Sequence, residues 1–170
     1  MKNIRVHKKD LLLVTLLVVA LFILNNLIFG LQLNYGFRDV DWEMLYYFKL
    51  FGSLSLEHFL KAYKIMGAYT YELYYTGFLE KLLGLNFVQL HQASQLFKII
   101  TAFSFYFIIT KIFKSRLLAF FSSIIYTISY THAGPLFQLS TGGYFFATIF
   151  MCLFLLAYYY ALFSQNLFKY

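Results

Sequence analysis

The stretch from Leu11 to Leu31 limits the possible folds of this chain more than any other feature. Only Thr15, Asn25, Asn26 and Gly30 interrupt its apolar run, and a helix of about 20 apolar residues crosses the hydrocarbon core of a bilayer. The composition agrees, because 61% of the residues are hydrophobic and only 12% are charged. A soluble domain of this size could not bury that much apolar surface. The sequence therefore predicts an integral membrane protein.

Three further apolar segments follow, and the predicted fold class is all-α, a polytopic bundle of transmembrane helices. Leu117 to Tyr130 is short for a span, so it either extends through Thr131 to Pro135 or enters the bilayer at an angle. Lys98 and Lys111 lie near the ends of the second span and are expected to reach the headgroups. The predicted order is a basic head at 1–10, a first span at 11–31, a loop at 32–95, a second span at 96–113, a turn at 114–116, a third span at 117–133, a turn at 134–143, a fourth span at 144–163 and a tail at 164–170.

The basic residues predict the orientation. The long loop is nearly neutral, whereas two other segments have a net charge of about +3 each: the head, with Lys2, Arg5, Lys8 and Lys9 against Asp10, and the first short turn, with Lys111, Lys114 and Arg116. The positive-inside rule assigns both segments to the cytoplasm, so the long loop and the 134–143 turn lie outside the cytoplasm at the cell membrane. The positive charges are split among membrane flanks, which argues against a nucleic-acid partner.

The first span is expected to be retained as an anchor. Its apolar run is longer than the core of a typical secretory signal, and no small-x-small cleavage pattern follows it. The long loop is rich in aromatic and aliphatic residues, which predicts helices lying along the membrane surface. Their expected bounds are Asp41–Phe51 ending at Gly52, a helix capped by Ser53 or Ser55 and running to about Met66, and Tyr71–Leu83 ending at Gly84. Asn86 and Gln89 form a capping pair that begins the second span early.

The first loop opens with the densest charge cluster of the chain, Arg38-Asp39-Val40-Asp41-Trp42-Glu43. Two acids two residues apart share a face in an extended segment but diverge by about 200° on a helix. Glu72 and Glu80, farther along the loop, either reach the same cleft or keep a Tyr-rich helix soluble. The acidic cluster is thus either a polar site at the membrane surface or the acidic start of a surface helix.

This arrangement resembles the amino-terminal part of a GT-C type membrane glycosyltransferase of the mannosyltransferase-like kind. The resemblance rests on one span, a first loop that opens with the Arg38–Trp42 acidic motif, surface helices, and the segment from Lys111 to Arg116 followed by an apolar run and Thr131-His132. Such enzymes have several hundred residues, so the chain is expected to be the first portion of a longer protein. The His-Pro-Pro pattern of some bacterial members is replaced here by Glu43-Met44-Leu45-Tyr46-Tyr47.

The resemblance implies an activity and a set of site residues. Such enzymes transfer a hexose or pentose from a polyprenyl-phosphate-linked donor in the membrane lipid to a glycan, lipid or protein acceptor outside the cytoplasm. Asp39 or Asp41 would be the general base, and the same two carboxylates could hold a divalent cation such as Mg²⁺ or Mn²⁺. Arg38 would bind the donor phosphate. The other substrate-binding candidates are Trp42, Glu43 and His132.

Other readings stay open at this point. Trp42 is also a natural interfacial anchor, His132 a turn residue, and His58 and His91 surface residues. Asn25 and Asn26 could form hydrogen bonds between helices. No phosphate-binding glycine loop, Cys and His metal set or Ser/His/Asp triad is visible in the sequence, which argues against nucleotide-sugar chemistry at the cytoplasmic face.

The alternative function is a non-catalytic multi-pass subunit or scaffold whose loop binds a partner. A transporter is disfavoured, because the last three predicted spans have almost no ionisable residue at mid-depth.

The topology predicted from the charge asymmetry can be tested by cysteine labelling. With Cys152 replaced by alanine, a cysteine introduced at Ser53 should react with an impermeant maleimide on intact cells, whereas one at Ser115 should react only after the cells are opened. Reaction at Ser115 without reaction at Ser53 would refute this orientation.

Overall fold

The computed structural model describes residues 8–31, 36–51 and 55–163, and this part of the chain is all-helical, as predicted. Three short 3₁₀ turns, Gly67–Tyr69, Tyr130–His132 and Ser140–Gly142, connect some of the helices. Within the described ranges no residue is in a β-strand. The α-helices are α1 (Lys8–Phe29), α2 (Asp39–Phe51), α3 (Leu56–Met66), α4 (Thr70–Leu83), α5 (Phe87–Phe113), α6 (Arg116–Ile128), α7 (Ala133–Phe137) and α8 (Gly143–Phe163).

Three helices are long and apolar enough to cross a membrane. The qualifying segments are Leu12–Phe29 in α1, Phe87–Phe113, which is the whole of α5, and Ser140–Leu162, which includes most of α8. The segment predicted as a third span, 117–133, is not one continuous helix. α6 ends at Ile128, because Ser129 has an extended backbone with φ −60° and ψ 125°, and a 3₁₀ turn follows.

α1, α5 and α6 share one apolar core. Ala102 on α5 and Ala119 on α6 are fully buried at its centre. Because lipid tails are as apolar as leucine, helices in a bilayer gain little from apolar burial alone and associate through close packing, which small residues allow. The core members are Leu17, Leu21, Ile99, Ala102, Tyr106 and Ala119.

Local capping sets the helix starts that the sequence predicted. The Ser55 hydroxyl accepts the backbone N–H of His58 at the start of α3, and the Asn86 carboxamide accepts that of Gln89 at the start of α5. α4 ends at Gly84, whose φ of +70° favours glycine. The predicted stop at Gly52 and cap at Ser53 lie outside the described residues.

The loop helices form a second packed layer. α2 lies across α4, where Phe48 meets Leu73 in a buried cluster that also includes Met44 and, from α3, Ala62. Gly77 on α4 directly faces the Phe48 ring, so close that a Cβ at this position would overlap ring carbons. The absence of a side chain at Gly77 thus fixes how near α2 approaches α4.

Polar side chains join α1 to α5, as the sequence suggested for Asn25. The Asn25 carboxamide donates to Gln95 Oε1 over 3.4 Å, and Gln95 Nε2 donates to the carbonyl of Phe29 over 3.1 Å. Asn26 differs, because it is exposed and donates to the Phe22 carbonyl of its own helix. Only one of the two asparagines therefore links helices within the described chain.

Two predicted exposures are wrong. Lys98 was expected to reach the headgroups, but it is fully buried. α5 begins at Phe87, so Lys98 lies about 16 Å from the start of the helix rather than near its end. Its ammonium lies over the Phe29 ring, 3.4 Å from the centroid. His91, expected at the surface, is buried with Nδ1 3.0 Å from the Leu136 carbonyl. α5, which is long and apolar enough to cross a membrane, thus contains a buried lysine and a buried histidine.

Replacement of Gly77 by alanine tests the α2 and α4 contact. Alanine favours a helix over glycine by up to about 1 kcal/mol, but the overlap with Phe48 should outweigh this and destabilise the protein by about 1 to 3 kcal/mol. The measurement is the thermal unfolding midpoint in detergent micelles. Gly134→Ala is the matched control, because a Cβ there meets open space. Equal midpoints for the two variants would contradict the packing described here.

Candidate functional site

A groove, here called the acidic groove, lies where the loop helices meet the turn before α8. Its volume is about 680 Å³. Two carboxylates, a carboxamide and several hydroxyls lie among apolar and aromatic side chains in its wall. The lining residues are Val40, Glu43, Met44, Tyr47, Ile65, Met66, Tyr69, Glu72, Gln138, Thr141 and Tyr144.

Asp41 does not line the groove, but its carboxylate connects two of the elements that form it. It is fully buried, and it occupies the third position of α2, where its Oδ2 accepts the backbone N–H of Arg38 over 3.0 Å. This is the reciprocal half of a capping box. Its Oδ1 accepts the N–H of Ser140 over 2.8 Å, across 99 residues of sequence. One carboxylate therefore caps α2 and ties it to the turn that leads into α8.

Glu72 is the buried carboxyl of the groove wall. It lies on α4, only 2% exposed, and accepts the Tyr71 hydroxyl over 3.2 Å; Tyr144 is a second hydrogen-bond partner. Burial raises the pKa of Glu72, and the nearby Asp41 carboxylate raises it further, against the opposing effect of the two tyrosines. The pKa of the Tyr71 hydroxyl is also raised by burial, so this group remains a donor at neutral pH.

The other polar groups come from α2 and from the turn. Glu43 is an exposed carboxylate at the groove edge. Gln138 donates through Nε2 to the Ser140 hydroxyl over 3.0 Å, and the Thr141 hydroxyl donates to the Gln138 carbonyl over 2.9 Å. These bonds hold the turn in one shape, so its polar side chains are presented to the groove from a fixed backbone.

A second, almost wholly apolar cleft of about 420 Å³ is lined by Tyr71 and by residues of α8. Its α8 wall consists of Gly143, Phe146, Ala147 and Phe150, which share one helical face. Gly143 lies close under the Tyr71 and Tyr75 rings, and a Cβ there would be 3.2 Å from both. The remaining lining residues are Phe59, Tyr74, Tyr75 and Phe78.

The predicted site residues separate rather than converge. α2 begins at Asp39, so both aspartates are helical; Asp39 is exposed and Asp41 is buried. The Mg²⁺ or Mn²⁺ site expected at this pair stays a prediction; in the structure each Asp41 oxygen accepts one backbone N–H group. No cluster of three or more His, Cys, Asp or Glu suited to a metal was found among the described residues.

The other three candidates have separate surroundings. Arg38 is exposed at the start of α2. Trp42 is 52% exposed and meets Phe37 edge to face, with ring centroids 4.9 Å apart. His132 does not line the acidic groove. It packs between Tyr126 and Phe145, at 4.3 and 5.4 Å between centroids.

Sequence reasoning left Glu72 open and missed Gln138, Thr141 and Tyr144. Neutral polar residues in a turn rich in serine, threonine and glycine carry little signal of their own. Glu72 had one available signal, a carboxylate within the run of tyrosines at 69–75.

Comparison of the chain with protein-family models, with curated protein sequences and with solved structures found no match. Function is therefore argued from the acidic groove itself.

Asp41→Ala tests the structural role of this carboxylate. The variant leaves the amides of Arg38 and Ser140 without their acceptor, and it should lower the free energy of unfolding by about 2 to 4 kcal/mol. Thermal unfolding in micelles gives the difference. Asp39→Ala, two residues away and exposed, should change stability much less. If the two variants were equally stable, Asp41 would not tie α2 to the turn.

Proposed function

We propose that this chain is part of a membrane glycosyltransferase that moves a sugar from a polyprenyl-phosphate-linked donor to an acceptor outside the cytoplasm. The observation that carries the proposal is the acidic groove, formed by the loop helices and the start of an apolar helix long enough to span a membrane. A lipid-linked sugar needs a polar pocket at this kind of boundary, because its two halves prefer different solvents.

The groove lining supports a sugar as its occupant. Carboxylates and carboxamides accept and donate hydrogen bonds to hydroxyl groups, and Glu43, Glu72 and Gln138 supply these at the groove wall. Tyr47, Tyr69 and Tyr144 add rings with both an apolar face and a hydroxyl. A volume of about 680 Å³ is within the range of small-molecule sites.

The reaction needs a base near the acceptor. The acceptor oxygen attacks the anomeric carbon, the bond from that carbon to the phosphate oxygen breaks, the polyprenyl phosphate leaves, and a carboxylate takes the acceptor proton. Glu72 suits this role better than Asp41, because Asp41 already accepts two backbone N–H groups and Glu72 lines the groove. Its raised pKa makes it a stronger proton acceptor. Asp39, which is exposed at the start of α2, remains the second candidate base.

The proposal includes an orientation. The charge asymmetry of the sequence orients the amino terminus to the cytoplasm and the loop helices to the outside. The donor would then enter from the membrane and the acceptor from the external solution. Arg38, exposed at the start of α2, would meet the donor phosphate.

A non-catalytic scaffold is the second candidate function, and the two backbone hydrogen bonds of Asp41 support it. The most buried acid of the first-loop motif has a structural task that needs no substrate. On this account the motif exists to fold the loop, and the groove receives a segment of a partner protein.

The two functions differ in the response to Glu72→Gln. In membranes containing the full-length protein and a radiolabelled polyprenyl-phosphate sugar, this change should lower transfer by about 10²- to 10⁴-fold, the usual effect of losing a general base. The carboxamide keeps the size of the side chain and one acceptor oxygen for the tyrosine hydroxyls, but it cannot act as the base. Parent activity should fall as the pH drops through the raised pKa of Glu72, because the base is then protonated.

Three controls accompany this measurement. Glu57→Gln, on the exposed face of α3 in a surface ion pair with Lys61, should transfer at the parent rate. Glu43→Gln should mainly raise the acceptor concentration needed, and Asp39→Asn tests the second candidate base. If all four variants transferred sugar like the parent, the groove carboxylates would have no catalytic role, and the scaffold would be the better account.

A further inference from the structure

A pocket between α1 and α5 is lined mainly by carboxamides, and we call it the carboxamide pocket. Its volume of about 340 Å³ is within the range of small-molecule sites. None of the described residues that line it is charged, and none of them lines the acidic groove. Four of the lining side chains carry the amide group: Asn25, Asn26, Gln92 and Gln95.

Asn25 leaves one polar atom of this pocket unsatisfied. The residue is fully buried, and its Nδ2 donates to Gln95 Oε1 over 3.4 Å, a long hydrogen bond. Gln95 Nε2 donates to the Phe29 carbonyl, so Gln95 presents an acceptor rather than a donor to Asn25. Asn25 Oδ1 has no hydrogen-bond partner within the described part of the chain. Because a buried carbonyl oxygen without a donor is destabilising, this wall favours a ligand that supplies an O–H.

The pocket is polar at one end and apolar at the other. Asn26 and Gln92 are exposed, and they lie near the end of α1 and the start of α5, where the chain enters and leaves the loop helices. Phe22, Leu96 and Ile99 lie farther toward the middle of the two apolar helices. The lining therefore changes from polar to apolar in the same direction as a bilayer changes from head groups to hydrocarbon.

This lining suits an uncharged head group with several hydroxyls. A hydroxyl both donates and accepts, as a carboxamide does, and four carboxamides can pair with more hydroxyls than a head group with a single hydroxyl presents. A phosphate or carboxylate loses its water on entering such a pocket and needs a positive charge in return, which the described lining does not supply. Lys98 of α5 does not line the pocket, and its ammonium lies over the Phe29 ring.

We propose that the carboxamide pocket binds the sugar head group of an uncharged membrane glycolipid. The sugar hydroxyls bond the carboxamides, with one O–H directed to Asn25 at the back of the pocket. The acyl chains run along the apolar end, where Phe22 and Leu96 are each 48% exposed. Because the pocket shares no lining residue with the acidic groove, this binding does not depend on the proposed transferase activity.

Photolabelling in nanodiscs tests the class of ligand. The full chain is reconstituted in phosphatidylcholine with a trace of photoreactive monoglucosyl diacylglycerol, and the labelled peptides are mapped. Unlabelled monoglucosyl diacylglycerol should suppress the labelling of α1 and α5. Diacylglycerol, which lacks the sugar, and phosphatidylglycerol, whose head group is charged, should compete roughly 10-fold less well or worse.

Three outcomes would overturn the proposal. Equal competition by phosphatidylglycerol would indicate an anion site, and equal competition by diacylglycerol would show that the sugar is not recognised. Absence of labelling at α1 and α5, or labelling that no unlabelled lipid suppresses, would mean that water or a partner helix fills the pocket.

Carboxamide variants test the pocket itself. Asn26→Leu combined with Gln92→Leu removes two exposed amides, and Asn26 bonds only the Phe22 carbonyl of its own helix, so the thermal unfolding midpoint should stay near that of the parent. The concentration of unlabelled glycolipid needed for competition should rise by roughly 5- to 100-fold. Gln92→Leu alone, a milder change, should raise it by about 3- to 10-fold.

Two controls separate recognition from packing. Asn26→Gln combined with Gln92→Asn keeps both amides and should retain most of the affinity. Thr148→Val, on α8, removes another hydrogen bond to a carbonyl of the same helix but lies outside the pocket, so it should leave competition unchanged. Competition at the parent concentration in both leucine variants would overturn the proposal.

Discussion

The hydrogen bonds of Asp41 determine how the loop helices sit on the rest of the protein. This carboxylate links the start of α2 to Ser140, and Ser140 begins the turn that leads into α8. A buried charge is tolerated only where several donors replace the water it has lost, and two backbone N–H groups at 2.8 and 3.0 Å provide that here. Backbone donors cannot rotate away as side chains can, so the bond also fixes the orientation of α2. The acidic groove exists because α2, α4 and the turn are held in this relation.

The electrostatics of the groove follow from the same anchor. The Asp41 carboxylate lies close enough to Glu72, which is itself buried, to raise the pKa of Glu72. Two carboxyl groups in one poorly solvated region are unlike two at a surface, because the second is harder to ionise. The tyrosine hydroxyls of 71 and 144 partly compensate by hydrogen bonding to Glu72. The groove therefore combines a buried carboxyl whose pKa is raised with a second carboxylate whose two oxygens each accept a backbone N–H.

The sequence predicted the local features of this fold and few of the long-range ones. Ser55, Gly84 and Asn86 set helix ends through contacts with residues three or four positions away, and such contacts can be read from a short window. The pairing of Asp41 with Ser140 spans 99 residues, and no local pattern indicates it. The prediction that Lys98 is exposed was wrong for a related reason. Lys98 lies near the start of the apolar run in the sequence, but α5 begins earlier, at Phe87, and the Lys98 side chain is buried against the Phe29 ring. The acidic motif contributes Val40 and Glu43 to the groove, but no local pattern indicates that packing of α2 on α4 brings Glu72 into the same wall.

Polar residues, rather than apolar ones, distinguish the faces of the apolar helices. Every face of α1 is rich in leucine, valine and isoleucine, so hydrophobicity gives the helix no preferred side in a bilayer. The Asn25 side is selected by Gln95, which bonds both Asn25 and the carbonyl of Phe29 at the end of the helix. Once that side faces α5, the geometry of the helix directs Asn26 roughly 100° away from it, toward the outer surface. Two adjacent asparagines with the same chemistry are thereby assigned to different surroundings. Asn25 is buried and donates to Gln95, whereas Asn26 is exposed and donates to the Phe22 carbonyl of its own helix.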